Sequence, residues 1–172
     1  MSNNIILIGP MGAGKSSVGK RLAKHLNRKF YDCDKVLEER TGVAITTIFE
    51  LEGESGFRER ETKILDELTS LENIVIATGG GVILLDKNLH LLTQNSVIIY
   101  LKASVTSQIK RTKHDKKRPL LQTKDRHATL QDLAKIRNPI YTKLANIIVD
   151  TDKQSISSSI EQIKSQLNTL SH

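Results

Sequence analysis

The chain has no tryptophan, a single cysteine and three prolines, and aromatic residues make up only 3% of its 172 positions. A lone thiol, Cys33, leaves nothing to form an internal disulfide with, so a reducing cytoplasm is the expected compartment. No apolar run approaches the roughly 20 residues that cross a bilayer. The first residues, Met1 to Asn4, lead straight into a strand-like run with no basic or apolar leader, so neither secretion nor a membrane partner is expected. Acidic residues are scarce too: 19 Asp and Glu stand against 26 Lys and Arg, a formal charge of +7. That balance suits an anionic ligand. With so few aromatics, no zinc-type or RNP-type motif and no continuous basic stripe, the anion is expected to be small and not a nucleic acid. The length fits one domain, residues 1–172, with a sizeable core.

What is present is an alternation of strand and helix patterns. Runs rich in Ile, Val, Phe and Tyr fall at 4–8, 29–31, 74–77, 97–101 and 147–149, with helix-like stretches between them. Parallel strands need crossover helices, so the pattern predicts an α/β fold with one parallel sheet covered on both faces. Ile156, Ile160, Ile163, Leu167 and Leu170 recur at helical spacing and predict a C-terminal helix packed on that sheet. The one long polar interruption, 113–128 with the sequence KHDKKRPLLQTKDRHA, is read as a mobile lid.

The first strand is followed by GPMGAGKSS. Gly9, Gly14, Lys15 and Ser16 fill the pattern G-x-x-x-x-G-K-[ST], a phosphate-binding P-loop. Glycines let successive N–H groups of Gly12, Ala13, Gly14, Lys15, Ser16 and Ser17 converge on an anion, and the helix that begins near Lys15 adds the positive end of its dipole. Lys15 is expected to reach the β- and γ-phosphates of a nucleotide, and the Ser16 hydroxyl to bind Mg²⁺.

The second strand runs into FYDCD. On an extended backbone Asp32 and Asp34 would face the same way and Cys33 the other, at the carboxyl edge where open α/β sheets hold ligands. One carboxylate could support Mg²⁺ through water, and the other could take or orient the proton of an acceptor hydroxyl. In GESGFRERE, helical spacing puts Glu61 on the stripe of Phe57, Ile64 and Leu68, and Arg58 at its margin beside Leu65. An inward Arg58 held by Glu61 would offer its guanidinium to an anionic substrate. Arg137 falls on the stripe of Leu130, Ala134 and Tyr141, although Pro139 is expected to disturb that helix. Arg118 in KKRPLL is a lid arginine that could close over the phosphates. Three glycines in a row, Gly79, Gly80 and Gly81, follow the third strand. Their entropic cost implies a close approach, read here as backbone N–H groups offered to acceptor oxygens. The sum is a kinase acting on a small molecule with a hydroxyl and a carboxylate.

These motifs in this order, GPMGAGKSS, DCD, IFELEGESGFRERE, ATGGG, KKRPLL and RNPIY, resemble the shikimate kinase family over nearly the whole chain. The resemblance implies transfer of the ATP γ-phosphoryl group to the 3-hydroxyl of shikimate, on the route to chorismate and the aromatic amino acids. It further implies a five-stranded sheet in the order 2-3-1-4-5 and a monomer. By the same resemblance Asp34 is the base within an acceptor region of about 32–61, and Asp32 supports Mg²⁺ through water. Arg58 and Arg137 grip the shikimate carboxylate, and Gly79 to Gly81, chiefly Gly80, touch the ring hydroxyls. Arg118 lies near the phosphates, and Arg111 and Gln154 fall where the family contacts adenine. Cys33 stands where Ser or Thr is usual. Another small-molecule P-loop kinase, for gluconate or a nucleoside monophosphate, is the nearest alternative. A GTP-binding switch is a more distant one, because TKHD at 112–115 imitates a guanine-reading motif but no Asp is followed by Gly three residues on.

Overall fold

The structure is a computed structural model that describes residues 4–170. Met1 to Asn3, read as the lead-in to the first strand, lie outside the described residues. Five parallel strands form the sheet: β1 (Asn4–Ile8), β2 (Lys29–Asp32), β3 (Ile74–Ala77), β4 (Ser96–Lys102) and β5 (Ile147–Asp150), in the spatial order β2-β3-β1-β4-β5. Among the described residues seven α-helices accompany them: α1 (Lys15–His25), α2 (Cys33–Thr41), α3 (Ile45–Thr69), α4 (Asp86–Thr93), α5 (Val105–Thr112), α6 (Arg126–Leu144) and α7 (Ile156–Leu170).

Alternation along the strands builds two cores. Ile6 and Ile8 of β1 and Ile76 of β3 pack with Leu37, Phe57, Leu65 and Tyr141, on the face covered by α2, α3, α4 and α6. Ile5 and Leu7 pack with Val75, Ile99 and Leu101 against Val18 and Leu22 of α1 and Ile160 and Ile163 of α7. Strands buried on both faces must be apolar throughout, which is why β1 and β3 read as continuous hydrophobic runs. Successive parallel strands also bring all their carboxyl ends to one edge. β1 lies in the middle, so the loop after it is flanked by the ends of β3 and β4.

Three expectations need correction. First, β2 ends at Asp32, and Cys33 and Asp34 already belong to α2. The Asp32 carboxylate caps that helix, accepting from the N–H groups of Asp34 at 3.1 Å and Lys35 at 3.3 Å. Cys33 does point away from the edge, into the core, but as a helical residue and not by strand alternation. Second, α6 runs unbroken through Pro139, which lies on its exposed side. Third, residues 126–128, read as part of the lid, form the first turn of α6. The connection itself spans 113–125 and contains a short 3₁₀ turn, Pro119–Leu121.

Candidate active site

The P-loop leaves β1 and turns into α1 at Gly14, whose φ of 90° is left-handed and suits glycine. No side chain caps α1 and its first turn holds no acidic residue, so the positive end of the helix is open to an anion. Lys15 folds back over the loop and donates from Nζ to the carbonyl oxygens of Gly9 at 2.7 Å and Pro10 at 2.8 Å. Burial, with help from the Arg118 charge, lowers its pKa to about 7. The Ser16 hydroxyl donates to the Asp32 carboxylate, so the two expected metal-supporting oxygens are already side by side. Among the described residues no three His, Cys, Asp or Glu side chains gather as a metal cluster. A divalent ion here would therefore need phosphate oxygens as further ligands, which suits Mg²⁺.

Two clefts meet at this edge. One, of about 350 Å³, is lined by Gly12, Gly14 to Ser17, Asp32 and Asp34, with Arg118 above. The other, lined by Met11, Phe49, Phe57, Arg58, Gly80 and Arg137, lies on the side where the acceptor is expected. Asp34, Gly79, Gly80 and Arg118 line both. Burial raises the pKa of Asp34, and the neighbouring Asp32 charge adds to the rise, while Arg118 and Lys15 oppose it. Behind the P-loop a third cavity is lined by Gly12, Ala13, Gly14, Ser17, Arg111 and Gln154. Arg111 donates there to the Gly12 carbonyl at 3.0 Å and to the Thr151 carbonyl at 2.9 Å, tying the nucleotide loop to the end of β5. Gln154 donates to Gln162 at 2.7 Å.

On the acceptor side Glu61 is 1% exposed and accepts from Arg58 at 2.8 Å. Glu54, which the sequence reading passed over, accepts from the other guanidinium nitrogen at 3.1 Å. Arg58 Nε and Glu61 Oε2 remain buried without a hydrogen-bond partner, which marks this end of the pocket as polar ground a ligand could satisfy. Arg137 is 4% exposed and forms no ion pair among the described residues.

Side chains of the protein itself crowd the three glycines, most closely at Gly79 and Gly81. A Cβ on Gly79 would lie 2.8 Å from Glu61 Oε2 and 3.3 Å from Asp34 Oδ1. One on Gly81 would overlap the Arg58 guanidinium, 2.6 Å from Cζ. A Cβ on Gly80 would lie 3.3 Å from Arg137 Nη1 and 3.4 Å from the Tyr141 hydroxyl. At Gly79 and Gly81 charged side chains of the protein make a close approach. Phe49 and Met11 were not singled out in the sequence. Phe49 stacks on Phe57 with centroids 4.7 Å apart to form an apolar wall, and nothing local in the sequence marks it.

The 113–125 connection, expected to act as a lid, lines both clefts. Arg118 Nε donates to Asp115 at 2.8 Å, while Lys117, Pro119 and Leu120 reach the acceptor pocket. Leu121 is buried against Met11 and Leu130, seating the lid on the P-loop and α6. Thr112, the first residue of TKHD, ends α5 and not a strand, unlike a guanine-reading motif.

The family model described as Shikimate kinase matches residues 11–168. A Shikimate kinase of Haemophilus influenzae is 51% identical over 161 residues, covering 93% of this chain and 89% of its own. One from Legionella pneumophila is 53% identical over 153 residues, covering 89% and 87%. The structure of Shikimate kinase from Acinetobacter baumannii in complex with shikimate superposes with a TM-score of 0.95 at 44% identity, covering 98% of this chain and 94% of that one.

Proposed function

The chain belongs to the shikimate kinase family and is an ATP-dependent kinase, and we propose that it phosphorylates the 3-hydroxyl of shikimate with Asp34 as the general base. One observation carries the assignment of roles: Asp34 stands on the boundary shared by the nucleotide cleft and the acceptor pocket. Only there can one carboxylate reach an acceptor hydroxyl next to a terminal phosphate.

In this reading the N–H groups of Gly12 to Ser17 and the Lys15 ammonium hold the nucleotide phosphates, and Arg111 and Gln154 flank the adenine. ATP supplies the phosphoryl group. The Ser16 hydroxyl, with Asp32 acting through water, would hold Mg²⁺, which would neutralise charge on the phosphates. Arg58 and Arg137 bind the acceptor carboxylate. Arg137 is buried and forms no ion pair among the described residues, which supports this, since a buried cation favours an anionic partner. The backbone from Gly79 to Gly81, chiefly Gly80, contacts the ring hydroxyls. Asp34 takes the proton of the attacking hydroxyl as its oxygen bonds to the γ-phosphorus, and the bond to the bridging oxygen breaks toward ADP. Burial and the Asp32 charge raise the pKa of Asp34, which makes its carboxylate a stronger base than an exposed one. Arg118 and the lid exclude water, which limits wasteful hydrolysis.

The same reading takes the chain as one cytoplasmic domain that acts as a monomer, in the supply of chorismate, with small molecules and not nucleic acid or membrane as partners. No helix among the described residues is long and apolar enough to cross a membrane. Asp34→Asn tests the role of the base. It is expected to lower kcat by roughly 10²–10⁴-fold with nucleotide affinity within about twofold of the parent. Near-parental turnover would remove Asp34 from that role.

A further inference from the structure

Arg58 is steadied by two carboxylates, whereas Arg137 has no ion-pair partner among the described residues. Some other group must fix the direction of its guanidinium. Tyr141 lies four residues on, on the same face of α6, and is 0% exposed. Its ring packs on Tyr100, with centroids 5.0 Å apart and planes tilted by 32°, so it is held in place. Its hydroxyl donates to the Gly80 carbonyl. Arg137 Nη1, the Tyr141 hydroxyl and the Gly9 carbonyl all lie within 3.5 Å of where a Gly80 Cβ would stand. Burial raises the pKa of the phenol despite the opposing charge and hydrogen bonding of Arg137, so it remains a donor across the working pH range.

We propose that Tyr141 is a positioning residue for the acceptor, its buried hydroxyl holding the Gly80 carbonyl and the Arg137 guanidinium as one rigid unit. This rests on the reading of Arg137 as part of the carboxylate grip. Tyr141 touches no substrate in this account. It acts by keeping two groups that do touch substrate at a constant separation, and its ring stacking supplies the rigidity that the arginine lacks.

The test removes the hydroxyl and keeps the ring. Tyr141→Phe is expected to raise the KM for shikimate about three- to tenfold, with kcat within about twofold and the Kd for ADP unchanged, the scale of one lost buried hydrogen bond. In an Arg137→Ala background the same change should add less than about twofold, because the two groups act together. Tyr100→Phe, which removes the neighbouring hydroxyl from the same core, should leave KM at the parental value. Assays run well below the melting temperature keep loss of folding distinct, since unfolded protein lowers apparent kcat and not the affinity of what remains. A Tyr141→Phe variant with lowered melting temperature but parental KM would reduce Tyr141 to a core residue and overturn the proposal. A parental KM in Arg137→Ala alone would overturn it by a different readout, because the reading of Arg137 beneath it would have failed.

Discussion

Lys15 keeps its ammonium against two backbone carbonyls, yet burial lowers its pKa from 10.5 to about 7. The folded-state value lies below the unfolded one, so burying the charged form costs stability in full below pH 7. That cost fades as pH rises from 7 toward 10.5. Phosphate oxygens placed beside Nζ favour the charged form again. Binding of ADP at pH 8 is therefore expected to take up a proton at Lys15. Calorimetry in buffers of differing ionisation enthalpy measures this, and a binding enthalpy independent of buffer would contradict it. Gly81 gives a second expectation. Its missing Cβ makes room for Arg58, which Glu54 and Glu61 pin in place. Gly81→Ala should displace the guanidinium and raise the KM for shikimate by about tenfold or more, the scale of a lost charged hydrogen bond. The Kd for ADP should stay unchanged, and an equal loss on both substrates would argue for general misfolding. At this scale the sequence marked most of the residues that meet at the site, because inward charges on apolar stripes are costly and therefore visible. It could not show that Arg58, Glu61 and Asp34 themselves crowd the glycines. That contact joins residues about 20 to 45 positions apart, and no local pattern encodes it.

Elements aim these residues, and their ends were less legible than their existence. The P-loop was clear because its chemistry is local: glycines, a lysine and a hydroxyl within nine positions, between a strand and a helix. The D-x-D segment misled because Asp32 is itself an N-cap. A capping carboxylate starts α2 at once and ends the alternation on which the two-faced reading relied. In α3 the stripe from Phe57 to Leu68 was visible, but the break at Gly53, φ 71° and ψ −176°, was not. The Glu52 carboxylate accepts from Arg60 at 2.8 and 2.6 Å across that break, and Phe49 before it meets Phe57 after it with ring centroids 4.7 Å apart. The lid is seated by Leu121 among Met11 and Leu130, an apolar anchor inside a segment whose polarity had drawn attention. Leu121→Ala is expected to unseat it. Truncation of a buried leucine costs about 2–5 kcal/mol, and here that cost falls mainly on the closed position of the lid. Faster proteolysis within 113–125 and a raised KM for ATP would show this, with the melting temperature of the sheet core little changed. An unchanged cleavage rate would mean that other contacts hold the lid.

For the molecule as a whole, five apolar runs separated by helical patterns left little choice but a parallel sheet, and all five strands lie where they were expected to within one residue at either end. The order β2-β3-β1-β4-β5 was not readable from periodicity, which says nothing about strand neighbours, and came only with the family resemblance. That order places the P-loop beside the triple-glycine turn, as the proposed transfer between them requires. The central claim is that the acceptor is shikimate. It is tested most directly by following ADP release from Mg·ATP with shikimate, gluconate or a nucleoside monophosphate as the acceptor, and with none. The account predicts ADP release with shikimate alone. Release with gluconate or the monophosphate and not with shikimate, from a chain that still binds ATP, would contradict it.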